Sequence, residues 1–191
     1  LADDLRQLFG DTRYGLGQIA ELVSGLKDFA RLDRAMSDEV DLNECIRSAL
    51  LIARNHLKDR VEVFQALGEL PPVACAPSQI NQVLLNLLTN AAQAMDGPGR
   101  IQIRSWAEND RVHISVQDSG RGMPPEVVAR IFDPFFTTKP VGEGTGLGLS
   151  ISYKIIRDHG GSIRVASEPG RGTRFLVSLP RHQAATLKRS A

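Results

Sequence analysis

Cysteine is scarce in this chain, and long apolar runs are missing. Cys45 and Cys75 are the only cysteines among 191 residues, too few for a disulfide scaffold or a zinc cluster, and their apolar surroundings predict two buried thiols. No apolar run approaches the roughly 20 residues that cross a membrane. The opening residues contain two acids and no cleavage pattern, so we do not expect a signal peptide. We expect a cytoplasmic protein, in which a membrane anchor could only lie in segments further upstream.

An excess of charge of one sign is also missing. Lys and Arg total 23, Asp and Glu total 22, and the formal net charge is +1, so no strong field attracts nucleic acid or an anionic membrane. Hydrophobic residues make up 42% and charged residues 24%, as in ordinary soluble domains. The length suits one domain with an extra element, and we find no internal repeat.

Apolar residues at the start of the chain recur in alternating steps of four and three, from Leu1 to Phe29. This heptad spacing predicts a long helix over 1–36. Such a helix either packs on its own domain or forms half of a dimeric helical bundle. Residues 33–41 are polar and charged, which indicates a linker.

The rest of the chain alternates helical and strand patterns. Asp41 followed by Glu44 resembles a capping box and opens a helix with an apolar face of Leu42, Ile46, Ala49, Leu50, Ala53 and Leu57. Strands are predicted at 61–65, 73–75, 100–106, 111–117, 162–167 and 173–179. Further helices are predicted at 78–95 with Ser78 as the cap, from Pro124 to about Ile131, and at 147–159. Short turns between neighbouring strands favour an α+β fold, with helices on one face of a mixed sheet.

The helix predicted at 78–95 contains no charged residue. Its polar side chains are carboxamides at spacings of three and four, which places them on one face. They are Gln79, Gln82, Asn86, Asn90 and Gln93. A polar, uncharged face indicates either the lining of a site or a buried helix with satisfied amides. An Asn oxygen is also a suitable hard ligand for Mg²⁺.

Two segments are rich in glycine. The first directly follows a predicted strand, and the second leads into a predicted helix. In DSGRGM (118–123) the glycines let the backbone approach a flat ligand, and the Asp118 carboxylate can only accept hydrogen bonds, for example from an exocyclic amine. In GEGTGLGL (142–149) backbone N–H groups before a helix attract phosphate. Each segment alone is also consistent with an ordinary turn or hinge. The dinucleotide, Walker and protein-kinase signatures are absent from the sequence.

Taken together, five segments in this order resemble the GHKL ATPase superfamily, most closely the catalytic ATP-binding domain of sensor histidine kinases. The segments are NLLTNAAQAM (86–95, N box), DSGRGM (118–123, G1 box), FDPFFTTK (132–139, F box), GTGLGL (144–149, G2 box) and GRGT (170–173, third glycine box). The likeness runs from about residue 41 to Pro180. It implies a Bergerat-type two-layer α/β sandwich, a mixed and mostly antiparallel sheet with three helices, over 37–180. The long helix over 1–36 would precede it and a tail over 181–191 would follow.

The resemblance also implies an ATP site closed by a lid over 133–146. Asn90 would coordinate Mg²⁺, Asn86 would support the phosphate side, and Lys139 would neutralise phosphates, so these three would be catalytic. Asp118 would accept from the adenine amine, and Thr173 would lie near the base. Phe132, Phe135 and Phe136 would anchor the lid or simply belong to the core. The implied ATP-binding set is Asn86, Asn90, Asp118, Gly120, Gly122, Met123, Phe132, Lys139, Gly144, Thr145, Gly146, Leu147, Gly148, Leu149 and Thr173.

Asn86 helps to choose within the superfamily, because its gyrase-type and mismatch-repair hydrolases place a glutamate there as the base. Asn86 cannot act as that base, which favours transfer of phosphate to a protein over hydrolysis. Residues 1–36 resemble the second helix of the dimerisation and phosphotransfer bundle. None of His56, His113, His159 and His182 lies in an H box.

The resemblance therefore implies the C-terminal part of a sensor histidine kinase. The acceptor His would lie upstream, the whole protein would dimerise through the bundle, and a response regulator receiver domain would be the partner. The alternatives are another GHKL ATPase, an anti-sigma-type serine kinase, or a non-catalytic nucleotide-binding module.

Overall fold

The computed structural model of this chain describes residues 38–57, 60–140 and 144–181. The helix predicted over 1–36 lies outside these ranges, as does the tail beyond 181. In the described part of the chain, no helix combines the length and the apolarity needed to cross a membrane. The linker predicted over 33–41 is wrong at its end, because residues 38–40 form a strand.

In the described residues, seven strands form two sheets. The strands are β1 (Asp38–Val40), β2 (Val61–Leu67), β3 (Val73–Cys75), β4 (Gly99–Glu108), β5 (Arg111–Asp118), β6 (Ser162–Glu168) and β7 (Gly172–Pro180). The main sheet has the order β2-β4-β5-β7-β6, in which β2 runs parallel to β4 and every other pair is antiparallel. The antiparallel pair β1-β3 forms the small sheet. The predicted mixed, mostly antiparallel sheet is confirmed.

The helices cover one face of the main sheet. They are α1 (Leu42–Leu57), α2 (Pro77–Gln93), α3 (Pro125–Val128) and α4 (Gly148–Asp158). Of the predicted apolar face of α1, only Leu50 is not fully buried. Cys45 and Cys75 are buried as predicted. Burial, together with the charges of Asp41 and Glu44, raises the pKa of the Cys45 thiol to about 11, so this thiol stays protonated.

Register across the sheet defines the face that meets the helices. Ile103 lies opposite Val116, and Val116 lies opposite Phe175, so these three buried side chains form one row. Asp118 occupies the next position on the same face of β5, opposite Ile101. The strand pattern therefore places a carboxylate where the core would otherwise continue, at the end of the sheet.

The predicted helix boundaries need three corrections. Helix α2 begins at Pro77 after Ala76, so Ser78 does not cap it, and it ends at Gln93, before Met95. Proline suits this first position because its missing N–H would have had no partner there.

Asp41 Oδ1 accepts from the Asn43 N–H at 2.8 Å, whereas the Glu44 carboxylate pairs with Arg47 and does not complete a capping box. The short helix after Pro124 ends at Val128, before Ile131.

Candidate functional site

The carboxamide side chains of α2 contact two other parts of the chain, the start of α4 and Lys139. Asn86 is half-buried, and its Nδ2 atom donates to the Gly148 carbonyl oxygen at 3.1 Å and to the Ser152 hydroxyl at 3.3 Å. These bonds join the middle of α2 to the first turn of α4. Asn86 therefore fixes the start of the helix that follows the glycine-rich loop, and its Nδ2 protons already have acceptors.

One turn further along α2, two amide oxygens hold a positive charge. The Lys139 ammonium lies 3.4 Å from Asn90 Oδ1 and also contacts Gln93 Oε1. Lys139 reaches this position from the segment between α3 and α4. Neutral oxygens of this kind suit a hard cation such as Mg²⁺, which takes most of its ligands from phosphate and water. Within 38–57, 60–140 and 144–181, no cluster of three or more His, Cys, Asp or Glu offers an alternative metal site.

Asp118 is the buried carboxylate of the site, with 5% of its surface exposed. Its Oδ1 atom accepts from the Gly120 N–H at 2.8 Å and from the Thr173 N–H at 3.2 Å. Burial raises the pKa of Asp118 above its ordinary value, because desolvation of the carboxylate outweighs the backbone hydrogen bonds that oppose it. Both of these bonds are to Oδ1. The arrangement leaves an acceptor for a donor on a ligand.

The loop after Asp118 is held from both sides. The Arg121 N–H donates to the Ala94 carbonyl oxygen at 2.9 Å, and the Arg121 carbonyl oxygen accepts from the Gly170 N–H at 2.7 Å. Gly122 has a φ of +66°, and a Cβ atom there would collide with the carbonyl group of Glu168. The loop is thus fixed between the end of α2 and the β6–β7 hairpin.

The predicted lid folds back on itself at its base. The Phe135 N–H donates to the Gly146 carbonyl oxygen at 3.0 Å, and both residues have a φ of +66°. A Cβ atom at Gly146 would collide with the Phe135 backbone, so this closure requires glycine. The Thr145 hydroxyl accepts from the Leu147 N–H at 3.3 Å just before α4 begins. Gly144 lies against Thr137 and Lys139, in the same fold of the segment.

The three phenylalanines of the F box have different surroundings. Phe132 is partly buried against the core and lies 5.3 Å from the Tyr153 ring. Phe136 is also partly buried, with the Arg130 guanidinium 4.5 Å above its ring. Phe135 is 71% exposed, so the expectation that it packs as an anchor is wrong. Its backbone N–H instead bonds to Gly146 at the base of the predicted lid.

Two residues outside the predicted set belong to this site. Gln93 shares the Lys139 ammonium with Asn90; its place in the carboxamide row was a usable signal. The Ser167 hydroxyl lies 2.9 Å from the Thr173 hydroxyl and accepts from the Met123 N–H at 2.8 Å. A serine in a strand carries no such signal, because only the pairing of β6 with β7 places it beside Thr173.

Comparison with known proteins agrees with this geometry. Residues 75–183 match the family of histidine kinase-, DNA gyrase B- and HSP90-like ATPases. The catalytic domain of the histidine kinase ThkA is 36% identical, with a TM-score of 0.69, over 76% of this chain and 95% of that domain. This chain belongs to the catalytic ATP-binding domains of histidine kinases.

Longer histidine kinases give the same result. The signal transduction histidine-protein kinase AtoS of Escherichia coli (strain K12) is 39% identical over 168 residues, which are 86% of this chain and 27% of AtoS. ThkA in complex with the response regulator protein TrrA is 31% identical, with a TM-score of 0.70, over 87% of this chain and 49% of that one. The chain spans about a quarter of the length of AtoS.

The histidine kinase domain contains two histidines whose side chains the structure describes, and neither is placed as a phosphate acceptor. His159 is 1% exposed; its Nε2 atom accepts from the Ala76 N–H at 3.1 Å and its Nδ1 atom bonds with the Ile155 carbonyl oxygen at 2.7 Å. Both ring nitrogens are therefore occupied. His113 alternates with core-facing neighbours on β5, so it lies on the other face of the sheet, where it stacks on Trp106 at 5.1 Å.

Proposed function

We propose that this chain is the catalytic part of a two-component sensor histidine kinase that holds Mg-ATP between α2, the Asp118 loop and the lid. The γ-phosphoryl group would pass to a histidine on the first helix of the bundle, and from there to a response regulator aspartate. The observation that carries the proposal is the contact of Lys139 with Asn90, which joins the lid to the N box through a cation.

The adenine end of the site is assigned to Asp118. Its carboxylate accepts only, is desolvated, and is held by two backbone N–H groups on one oxygen. The exocyclic amine of adenine is the matching donor. Thr173, Gly120, Gly122 and Met123 would shape the surface around the base.

The phosphate end is assigned to Asn90, Lys139 and the segment from Gly144 to Leu149. Asn90 would give Mg²⁺ one protein oxygen, and the ion would neutralise charge on the phosphates. Lys139 would exchange its contact with Asn90 for one with a phosphate oxygen. The N–H groups before and within the first turn of α4 would face the same oxygens. Positioning and charge neutralisation are what phosphoryl transfer needs from a protein.

Asn86 supports transfer to a protein over hydrolysis. A hydrolase needs a base that takes a proton from water, and an amide has no such capacity. Asn86 is instead bound to Gly148 and Ser152. In the transfer, an imidazole nitrogen would attack the γ-phosphorus, the bond from the γ-phosphorus to the β,γ-bridging oxygen would break, and ADP would leave.

The acceptor and the partners of the whole protein follow from the same proposal. Residues 1–36 would be the second helix of a bundle that dimerises two copies, and the acceptor histidine would lie upstream on the first helix. A receiver domain would take the phosphoryl group, as the complex of ThkA with TrrA suggests.

The experiment uses the protein extended upstream by about 60 residues, enough for one helix and a turn. It is incubated with Mg²⁺ and γ-labelled ATP, and the protein-bound label is tested in acid and in base. Label lost in acid and kept in base is phosphohistidine, the expected result. Acid-stable label would indicate a serine kinase, and phosphate release without label a hydrolase; either would overturn the proposal. Asn90→Ala should give no label, whereas Asp110→Asn, at an exposed position in the turn between β4 and β5, should be labelled normally.

A further inference from the structure

Ser167 lies at the centre of three short polar contacts beside the Asp118 loop. Its hydroxyl oxygen is 2.8 Å from the Met123 nitrogen, 2.9 Å from the Thr173 hydroxyl and 3.1 Å from the Gly172 carbonyl oxygen. The register pairs Ser167 with Thr173 across the β6–β7 hairpin. The side chain is half-buried, so water competes poorly for these contacts.

A count of protons gives one arrangement in which all three contacts are hydrogen bonds. The Met123 N–H can only donate, so Ser167 accepts from it. The Gly172 carbonyl can only accept, so the single proton of Ser167 goes there. The contact with Thr173 is then a hydrogen bond only if the Thr173 hydroxyl donates to Ser167. The Thr173 hydroxyl has then used its only proton, so it can only accept a hydrogen bond from any further partner.

This arrangement matters because Thr173 lies directly beside Asp118. The Thr173 N–H binds Asp118 Oδ1 at 3.2 Å, and both side chains are buried on the face of the sheet that meets the helices. An acceptor-only hydroxyl next to an acceptor-only carboxylate makes this end of the site uniformly accepting. It favours a base that presents an amino group to this end of the site and opposes a base that presents a carbonyl oxygen there.

We infer that Ser167 is a positioning residue that sets the base specificity of the nucleotide site. It holds the Thr173 hydroxyl as an acceptor, so that the site takes adenine, which carries an amino group where guanine carries a carbonyl oxygen. Without Ser167, the Thr173 hydroxyl rotates and donates to that carbonyl. The inference rests on the proposed function and adds to it a residue that none of the five boxes contains.

The test measures dissociation constants for Mg-ATP and Mg-GTP on the 191-residue chain by titration calorimetry. The readout is the ratio of the GTP constant to the ATP constant. Ser167→Ala should lower this ratio by about fivefold, the effect of one hydrogen bond that changes direction. Ser167→Thr, which keeps the hydroxyl, should restore it. Ser162→Ala, on the same strand and away from the site, is the matched control.

The variants separate a positioning role from a structural one. Thr173→Val should lower the ratio by itself, and adding Ser167→Ala to it should lower the ratio no further, because both act through one hydroxyl. The inference about Ser167 would be overturned if Ser167→Ala kept the ratio of the wild type, or if the wild type bound both nucleotides equally. Either result would leave the proposed function standing. A wild-type protein that binds neither nucleotide would overturn the proposed function as well.

Discussion

Asp118→Asn should weaken nucleotide binding without weakening the fold. The asparagine oxygen can keep both backbone bonds that Asp118 Oδ1 now accepts, from Gly120 and Thr173. Its amide nitrogen then takes the place of Oδ2 and presents a donor to the adenine amine, which is also a donor. A charged hydrogen bond contributes about 1.5–3 kcal/mol, so ATP should bind about 10- to 150-fold more weakly.

Folding stability should respond in the opposite sense. The pKa of Asp118 is raised in the folded protein by burial, so ionisation of this carboxyl costs stability at neutral pH. That cost decreases as the pH falls below the folded-state pKa and is gone below the pKa of the unfolded chain. A neutral amide does not carry this cost. The thermal midpoint of the nucleotide-free variant should therefore equal or exceed that of the wild type.

Titration calorimetry with Mg-ATP and thermal unfolding without nucleotide check both effects. Asp110→Asn is the matched control, because it makes the same chemical change at an exposed side chain in the turn between β4 and β5. Wild-type ATP affinity in Asp118→Asn would remove Asp118 from the site. A much lower midpoint would show that the carboxylate is held for folding and would refute the reasoning from its pKa.

Two further predictions concern α2. Asn90→Ala should make ATP binding independent of Mg²⁺, measured by titration with Mg²⁺ and with EDTA; a persistent Mg²⁺ dependence would show that the metal is held elsewhere. His159 accepts from the Ala76 N–H only when Nε2 is unprotonated, and burial lowers the pKa of His159 below 6.5. Its stabilising contribution should therefore be present above pH 6.5 and be lost as the pH falls below it. Urea unfolding of wild type and His159→Gln at several pH values should show this loss in the wild type; parallel pH profiles would contradict it.

The sequence predicted secondary structure best where the spacing of apolar residues marks one buried face of a helix or strand. The apolar face of α1 and the alternating residues of β5 are buried as their spacing predicts. The mixed, mostly antiparallel sheet follows from short turns between neighbouring strands, and the family follows from five segments in a fixed order.

The boundaries of helices and strands were predicted wrongly where the local sequence is compatible with more than one structure. Ser78 is an acceptable cap, but Pro77 starts the helix one residue earlier because proline suits the first turn. Residues 38–40 are polar enough to be a linker, yet they pair with β3, which no local pattern reveals.

In the candidate site, too, some residues could be predicted from the sequence and others depend on tertiary contacts. Asp118 and the glycines were assigned only through the order of the five segments, because each segment alone is consistent with an ordinary turn. The contact of Lys139 with Asn90 joins residues 49 positions apart, and Ser167 reaches Met123 across 44. These partners depend on tertiary packing, so residue types alone could not assign them. Phe135 was misassigned because an exposed phenylalanine violates the ordinary preference for burial.

A crystal structure of this chain with Mg²⁺ and a non-hydrolysable ATP analogue tests the central claim most directly. We expect the base amine within hydrogen-bonding distance of the Asp118 carboxylate, the metal on Asn90 Oδ1, and the Lys139 ammonium moved from Asn90 to a phosphate oxygen. A nucleotide bound elsewhere, or bound while Lys139 stays on Asn90 and no metal contacts that residue, would contradict it.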